Sequence, residues 1–179
     1  MTKSTPMHAP FTETRQKAHR VGLASIDIDE ALGYLTAYEQ LAMLQEKDGN
    51  SVWFDACKGL LCAAIVTYCR PFSENKSAGF AAERLRAKEL AAVKERRALH
   101  DLLIVKRNTF IAHADWSARS ATILNAVPGS VSWQFPQPNV WEGLDVKEFR
   151  RLMEDLHQEC LDKGVELARL AEQEKAATD

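Results

Sequence analysis

Apolar positions recur at helical spacing in the first third of the chain. In IDIDEALGYLTAYEQLAMLQ they fall three and four residues apart from Ile28 to Ala42, which predicts an amphipathic helix. Asp27 and Glu30 are spaced as a capping box at its start, and KDGN ends it. Residues 1–24 have no sustained period, so we predict that they form a flexible N-terminal tail.

The next segment, SVWFDACKGLLCAAIVTYC, is apolar around much of its circumference, which is typical of a buried helix. Pro71 ends this helix because proline disfavours helical backbone at Arg70 and has no amide hydrogen to donate. Good helix formers then run from about residue 80 to residue 114, as one long helix or as a short helix and a long one. One face of this run turns polar toward its end: Leu99, Leu102, Leu103, Lys106, Phe110 and His113.

The helical period is lost between residues 116 and 143, where a Pro-Gly pair and further prolines occur. We predict an irregular excursion with a candidate short strand at residues 131–135; so long an excursion in a compact domain is usually functional or a packed flap. Asp145 and Glu148 then form a second capping box, and Leu144 and Phe149 a hydrophobic staple, at the start of a final helix.

These elements predict an all-α, up-and-down bundle of four or five helices in one domain, residues 25–176. The chain has 179 residues and is 46% apolar, enough for a single core. Its longest nearly apolar stretch, residues 59–69, is too short to cross a bilayer, and the N-terminus has no apolar signal-peptide block. We therefore expect a soluble, cytoplasmic protein without a membrane partner.

Cofactor and metal motifs are missing from the sequence. It contains no Gly-rich phosphate loop and no zinc-protease motif, so we expect neither a cofactor nor a metal. The four cysteines have no C-x-x-C pairing and are interpreted as reduced core thiols. His157 and Cys160 are spaced i, i+3, but core packing is the favoured interpretation because no second ligand pair accompanies them.

Charge is distributed unevenly, although the formal net charge is only −2. From Arg84 to Arg107 there are eight Lys or Arg residues against three acids, whereas from Asp145 onward there are ten acids against six bases. Such runs are usually solvated helix faces. The alternative is a local phosphate-binding patch that ends at Arg107.

The stretch KRNTFIAHAD, residues 106–115, carries the candidate chemistry. Arg107 offers a fixed fork of donors for a phosphate, Asn108 can orient the scissile group, and His113 can exchange a proton near neutral pH. Together they supply what RNA transesterification needs. Spacing alone is weak support, since Arg151 and His157 are separated by the same interval.

This stretch resembles the Arg-polar-x-His signature of the HEPN superfamily, in the RN…AH form of its abortive-infection-type members. WFDACKGLLCAAIVTYCRPF is similar to the aromatic-rich helix that precedes the signature there. The resemblance covers roughly residues 28 to 170 in organisation, but specific identity is confined to the signature. It implies an all-α homodimer and a metal-independent ribonuclease that acts as a toxin or antiviral effector, with Arg107, Asn108 and His113 as catalytic residues. An antitoxin or nucleotidyltransferase partner belongs to the same expectation.

Helix geometry favours a site shared between two copies of the chain. Six residues at about 100° each place Arg107 and His113 roughly 120° apart on a straight α-helix, so one helix cannot aim both at one atom. Two such helices across a two-fold axis could surround one cleft. Exposed apolar residues of the excursion, such as Trp133 or Trp141, are expected to join this interface.

Further residues are assigned supporting roles near this site. Lys106, Arg96 and Arg97 are expected to contact RNA phosphates, and His100 is a weaker candidate for a helper role. Two alternatives stay open: a non-catalytic nucleotide-binding or protein-interaction module of the same fold, and a helical adaptor in which Arg107 and Asn108 bridge helices. The acidic overall charge is the best argument for the non-catalytic module.

Overall fold

Over its described residues the fold is an all-α bundle of five helices, as the sequence predicted, with one β-hairpin within the 116–143 excursion. The computed structural model describes residues 12–48, 51–73, 85–111, 122–127, 130–134 and 139–177. In chain order the elements are α1 (Glu13–Asp48), α2 (Ser51–Cys69), 3₁₀ turns at Arg70–Phe72 and Ala87–Glu89, α3 (Ala91–Glu95), α4 (Arg97–Lys106), a π-helical segment (Arg107–Ile111), β1 (Thr122–Val127), β2 (Ser130–Gln134) and α5 (Val146–Ala176).

Helix α1 packs against both α2 and α5. It runs antiparallel to α5, because Thr14 bonds to Glu174 at one end and Glu39 accepts two hydrogen bonds from Arg150 at the other. Its buried positions recur at intervals of three and four residues, so they form one stripe. The members of this stripe are Val21, Ala24, Ile28, Ala31 and Leu35.

The prediction of a flexible tail up to residue 24 is wrong for residues 13–24. Helix α1 begins at Glu13 and continues through Ser25 without a break. Val21 and Ala24 extend the buried stripe upstream, and tertiary packing of this kind stabilises a helix whose own sequence is mostly polar. Residues 1–11 of the predicted tail lie outside the described residues.

Asp27 and Glu30 consequently lie inside α1 and do not cap it, which corrects the predicted capping box. Their carboxylates face Arg70, just beyond the end of α2. The Arg70 guanidinium lies 2.7 Å from Glu30 Oε2 and 3.5 Å from Asp27 Oδ1. Asp27 and Glu30, although spaced as in a capping box, therefore form an ion pair between α1 and Arg70 at the end of α2.

Helix α2 matches its predicted bounds, and α5 begins directly after its predicted cap. α2 ends at Cys69, immediately before the turn that contains Pro71. Asp145 caps α5, since its carboxylate accepts hydrogen bonds from the amides of Lys147 and Glu148 at 2.9 and 3.1 Å. Phe149 is fully buried and Leu144 packs against the same core, as the predicted staple requires.

Residues 80–114 were predicted to form one long helix or a short helix and a long one. The described part, residues 85–111, contains the short helix α3, followed by the longer α4 and the π segment. α3 and α4 are separated at Arg96, whose backbone has φ −117° and ψ 44°. The Arg96 guanidinium lies 2.9 Å from Asp155 on α5. The first two amides of α3 donate to the carboxylate of Glu159, also on α5. Side chains of α5 therefore determine where this region breaks.

The excursion, predicted to be irregular with one candidate strand, contains an antiparallel hairpin of two strands. β2 agrees with the candidate strand at residues 131–135, but its partner β1 was not predicted. The two strands pair from Thr122 opposite Gln134 to Val127 opposite Ser130, with an irregularity between Leu124 and Val127. Pro128 and Gly129 separate the strands along the chain, and a two-residue connection of turn formers is a hairpin signal.

Removing the α5 cap should destabilise the bundle measurably. Asp145→Ala is expected to lower the free energy of unfolding by about 1 kcal/mol, because two amides in the first turn lose their acceptor. The measurement is urea unfolding followed by circular dichroism. Asp29→Ala, at an exposed position inside α1, is the matched control and should change stability much less. An equal loss in both variants would contradict the capping role.

Candidate active site

The Arg107–Asn108 pair lies where α4 changes from α-helical to π-helical geometry. Residues Arg107–Ile111 form the π segment, a feature frequently found at functional sites. The Thr109 hydroxyl donates to the carbonyl of Val105 at 2.7 Å, and such side-chain bonding within a helix perturbs the regular backbone pattern. Helical periodicity in the sequence did not predict this change in helical pitch.

Arg107 differs from two other half-buried arginines, Arg96 and Arg150, in the charge of its partner. Arg96 and Arg150 each lie within 2.9 Å of a carboxylate. Arg107 Nη1 instead donates to the neutral amide oxygen of Asn108 at 2.9 Å, and no carboxylate among the described residues lies within ion-pair distance of it. A half-buried guanidinium held by a neutral amide is suited to receive an external anion such as phosphate.

His113 lies outside the described residues, so its position relative to Arg107 stays a prediction. The estimate of roughly 120° between them assumed a straight α-helix. The π segment falls between the two positions, and its i→i+5 bonds change the number of residues per turn. That angle therefore no longer supports a shared site by itself.

Two of the three predicted phosphate contacts are occupied within the chain, which corrects their assignment. Lys106 is only 2% exposed and donates to the carbonyl of Asn139 at 3.4 Å. Arg96 is 16% exposed and lies between Asp155 and Glu148 of α5. A group needs an accessible charge to neutralise a phosphate, and neither of these offers one.

Arg97 keeps an exposed side chain but pairs with Asp101 one turn later, at 2.9 Å. Exposed pairs at this spacing are weak, so a phosphate could displace Asp101 at little cost. Arg97 thus stays a candidate for an RNA contact.

His100 is a core residue, and this burial does not suit the predicted helper role. Its side chain is 4% exposed, its Nδ1 lies 2.8 Å from the Tyr68 hydroxyl, and its ring meets Phe72 edge-on with centroids 4.7 Å apart. Burial lowers the pKa of His100 below its ordinary 6.5; Asp101 opposes this shift, and Arg97 adds to it. A neutral, enclosed imidazole cannot reach RNA directly.

The cysteines are free thiols packed in the bundle, as predicted, and three of the four are buried. Burial raises the pKa of Cys69 to about 12 and that of Cys160 to about 11. Both remain protonated at neutral pH, and a thiol is a poor nucleophile. Across the described ranges, His, Cys, Asp and Glu form no group of three or more that could hold a metal ion.

Trp141, predicted to be an exposed residue of the interface, is partly buried and packs against the core of its own chain. Its indole N–H donates to the Tyr38 hydroxyl of α1 at 3.0 Å. Its ring lies 5.0 Å from that of Phe54 on α2. The side chain of Trp133 lies outside the described residues.

Sequence reasoning missed the segment that leads from the excursion into α5, residues 139–144, which we call the return turn. Asn139 Oδ1 accepts from the amide of Trp141 at 3.0 Å, and Gly143 has a positive φ of 67°. Asn and Gly at these positions are turn signals. They could have indicated an ordered turn, which the structure places against Lys106.

Comparisons with known proteins give no match to any family model, curated protein or solved structure. In the described part of the chain, no helix is both long and apolar enough to span a membrane.

The burial of His100 makes stability depend on pH. Because its pKa is lowered in the folded state, the unfolded chain binds the proton first, and the free energy of unfolding should fall as pH drops below 6.5. One histidine can contribute at most about 1.4 kcal/mol per pH unit. His100→Gln should reduce this slope in urea unfolding between about pH 7.5 and about pH 5. His19→Gln, at an exposed position on α1, should keep the slope; an unchanged slope in His100→Gln would contradict the assignment.

Proposed function

We propose that the protein is a metal-independent endoribonuclease of HEPN type that acts as a toxin or antiviral effector. The observation that carries this proposal is the Arg107 guanidinium. It is half-buried, bonded to the neutral Asn108 amide and, within the described residues, not compensated by a carboxylate. The resemblance of KRNTFIAHAD to the HEPN signature supplies the third member, His113.

In this mechanism Arg107 binds the scissile phosphate and stabilises the charge that develops on it. Asn108 orients the phosphate through its amide. His113 takes the proton of the ribose 2′-hydroxyl, which attacks the adjacent phosphorus, or returns a proton to the 5′ oxygen that leaves. Because arginine and histidine supply both charge and proton transfer, the reaction needs no metal.

The proposed active unit is a homodimer with the two signature helices beside one cleft. Arg107 of one copy would then lie beside His113 of the other copy in the shared cleft. This arrangement follows from the resemblance, together with the exposure of Asn108 on the helix surface. An antitoxin or nucleotidyltransferase that neutralises the site remains part of the proposal.

A second candidate is a non-catalytic nucleotide-binding or protein-interaction module. The specific observation in its favour is the compensation of the basic run within the chain: Arg96 pairs with α5 and Arg97 with Asp101, while Lys106 is buried. Little free positive charge then remains to attract RNA over long distances.

Cleavage of mixed single-stranded RNA in the presence of chelator tests the ribonuclease. His113→Ala should lower the rate by roughly 10²–10⁴-fold through loss of proton transfer. Arg107→Ala should lower it by about 10²–10³-fold through loss of charge stabilisation. Product formation is followed on a gel with end-labelled RNA.

The chain contains its own matched controls for this experiment. Arg151 and His157 on α5 repeat the residue types and the spacing, and Arg151 makes an exposed ion pair with Glu148. Arg151→Ala and His157→Ala should cleave at the wild-type rate. Undiminished cleavage by His113→Ala would reveal a contaminating nuclease, and RNA binding without cleavage by wild type would favour the non-catalytic module.

A further inference from the structure

The lysine immediately before Arg107 is enclosed, although lysine is almost never fully buried unless it is paired. The Lys106 side chain is 2% exposed, and its ammonium donates to the carbonyl of Asn139. Burial lowers the pKa of Lys106 below 10.5, and the nearby Glu142 carboxylate opposes this. Enclosing an ammonium is costly unless it has partners, and the hydrogen bond to Asn139 offsets part of this cost.

The return turn that receives Lys106 is fixed to other parts of the bundle. Val140 is buried in the core, and Trp141 bonds to Tyr38 of α1 and packs on Phe54 of α2. Within the turn, the amide of Leu144 donates to the carbonyl of Trp141 at 2.9 Å. The core thus holds the return turn in place, and the turn can itself hold the end of α4.

Among the described residues of the candidate site the side-chain hydrogen bonds are local, although the π segment also packs against α2. The side-chain hydrogen bonds of Arg107 and Thr109 both stay within the same helical stretch, to Asn108 and Val105. Lys106 is the last residue of α4, and the π segment begins at the next residue. The bond from Lys106 to Asn139 therefore holds the point at which the segment with Arg107 and Asn108 begins.

We propose that Lys106 is a positioning residue, which holds the Arg107–Asn108 segment against the return turn and does not contact RNA. The consequence for catalysis rests on the proposed ribonuclease function, whereas the contact with the turn does not. Loss of this contact shifts Arg107 relative to the scissile phosphate, and a displacement of about 1 Å can lower a rate by about 10²-fold.

The test compares Lys106→Met with the matched control Lys147→Met. Lys147 is exposed in the first turn of α5, so its variant also loses one ammonium. In Lys106→Met we expect faster hydrogen exchange of the amides of residues 107–111 and 139–144. We also expect a kcat about 10- to 100-fold lower with KM nearly unchanged. Lys147→Met should match wild type in both readouts.

Salt dependence separates positioning from direct phosphate contact. If Lys106 does not touch RNA, the slope of log affinity against log salt stays the same in Lys106→Met. A slope smaller by about 0.7 would reveal one lost phosphate contact on single-stranded RNA and overturn the proposal. Unchanged exchange would overturn it as well, and so would faster exchange with full kcat.

Two further outcomes are covered by the same design. If wild type cleaves no RNA, the proposed function fails, and hydrogen exchange alone decides whether Lys106 holds the segment to the turn. If Lys106→Met does not fold, Lys106→Gln replaces it, because the amide keeps an N–H donor on a shorter side chain. Exchange and kcat should then lie between wild type and full loss, and wild-type values in both would overturn the proposal.

Discussion

Burial of one apolar stripe of α1 between α2 and α5 is the constraint on which the rest of the structure depends. Ile28, Ala31 and Leu35 have no exposed surface, and two alanines in the stripe allow close approach of the neighbouring helices. Ion pairs at the edges, Arg70 with Glu30 and Arg150 with Glu39, fix the rotation of α1. The core formed in this way provides the surfaces on which α3, α4 and the return turn are placed.

The same packing decides which polar side chains remain available for chemistry. α5 takes Arg96 into an ion pair, the aromatic core encloses His100, and the return turn encloses Lys106. Arg107 and Asn108 are not taken into such contacts, because they lie beyond α4 in the π segment. A broad basic patch is thereby reduced to a small candidate site, which favours a short-range contact with one phosphate over long-range attraction of RNA.

Local signals in the sequence predicted the elements, but long-range contacts decided the site. The bounds of α2 and the Asp145 cap follow from residues within a few positions of each other, so periodicity and capping rules suffice. The fates of Arg96 and Lys106 depend on Asp155 and Asn139, which are distant in sequence, and no spacing rule reports such contacts. The early start of α1 was missed for the same reason, because Val21 is buried only by tertiary packing.

The central claim is that Arg107 and His113 from two copies of the chain act on one phosphate. The most direct measurement is RNA cleavage by a mixed dimer of Arg107→Ala and His113→Ala, purified through two different tags. Each variant alone removes one residue type from the shared cleft, whereas the mixed dimer retains one Arg107 and one His113. The account predicts that the mixed dimer cleaves RNA well above either variant alone. A mixed dimer as inactive as its parents would contradict a shared site.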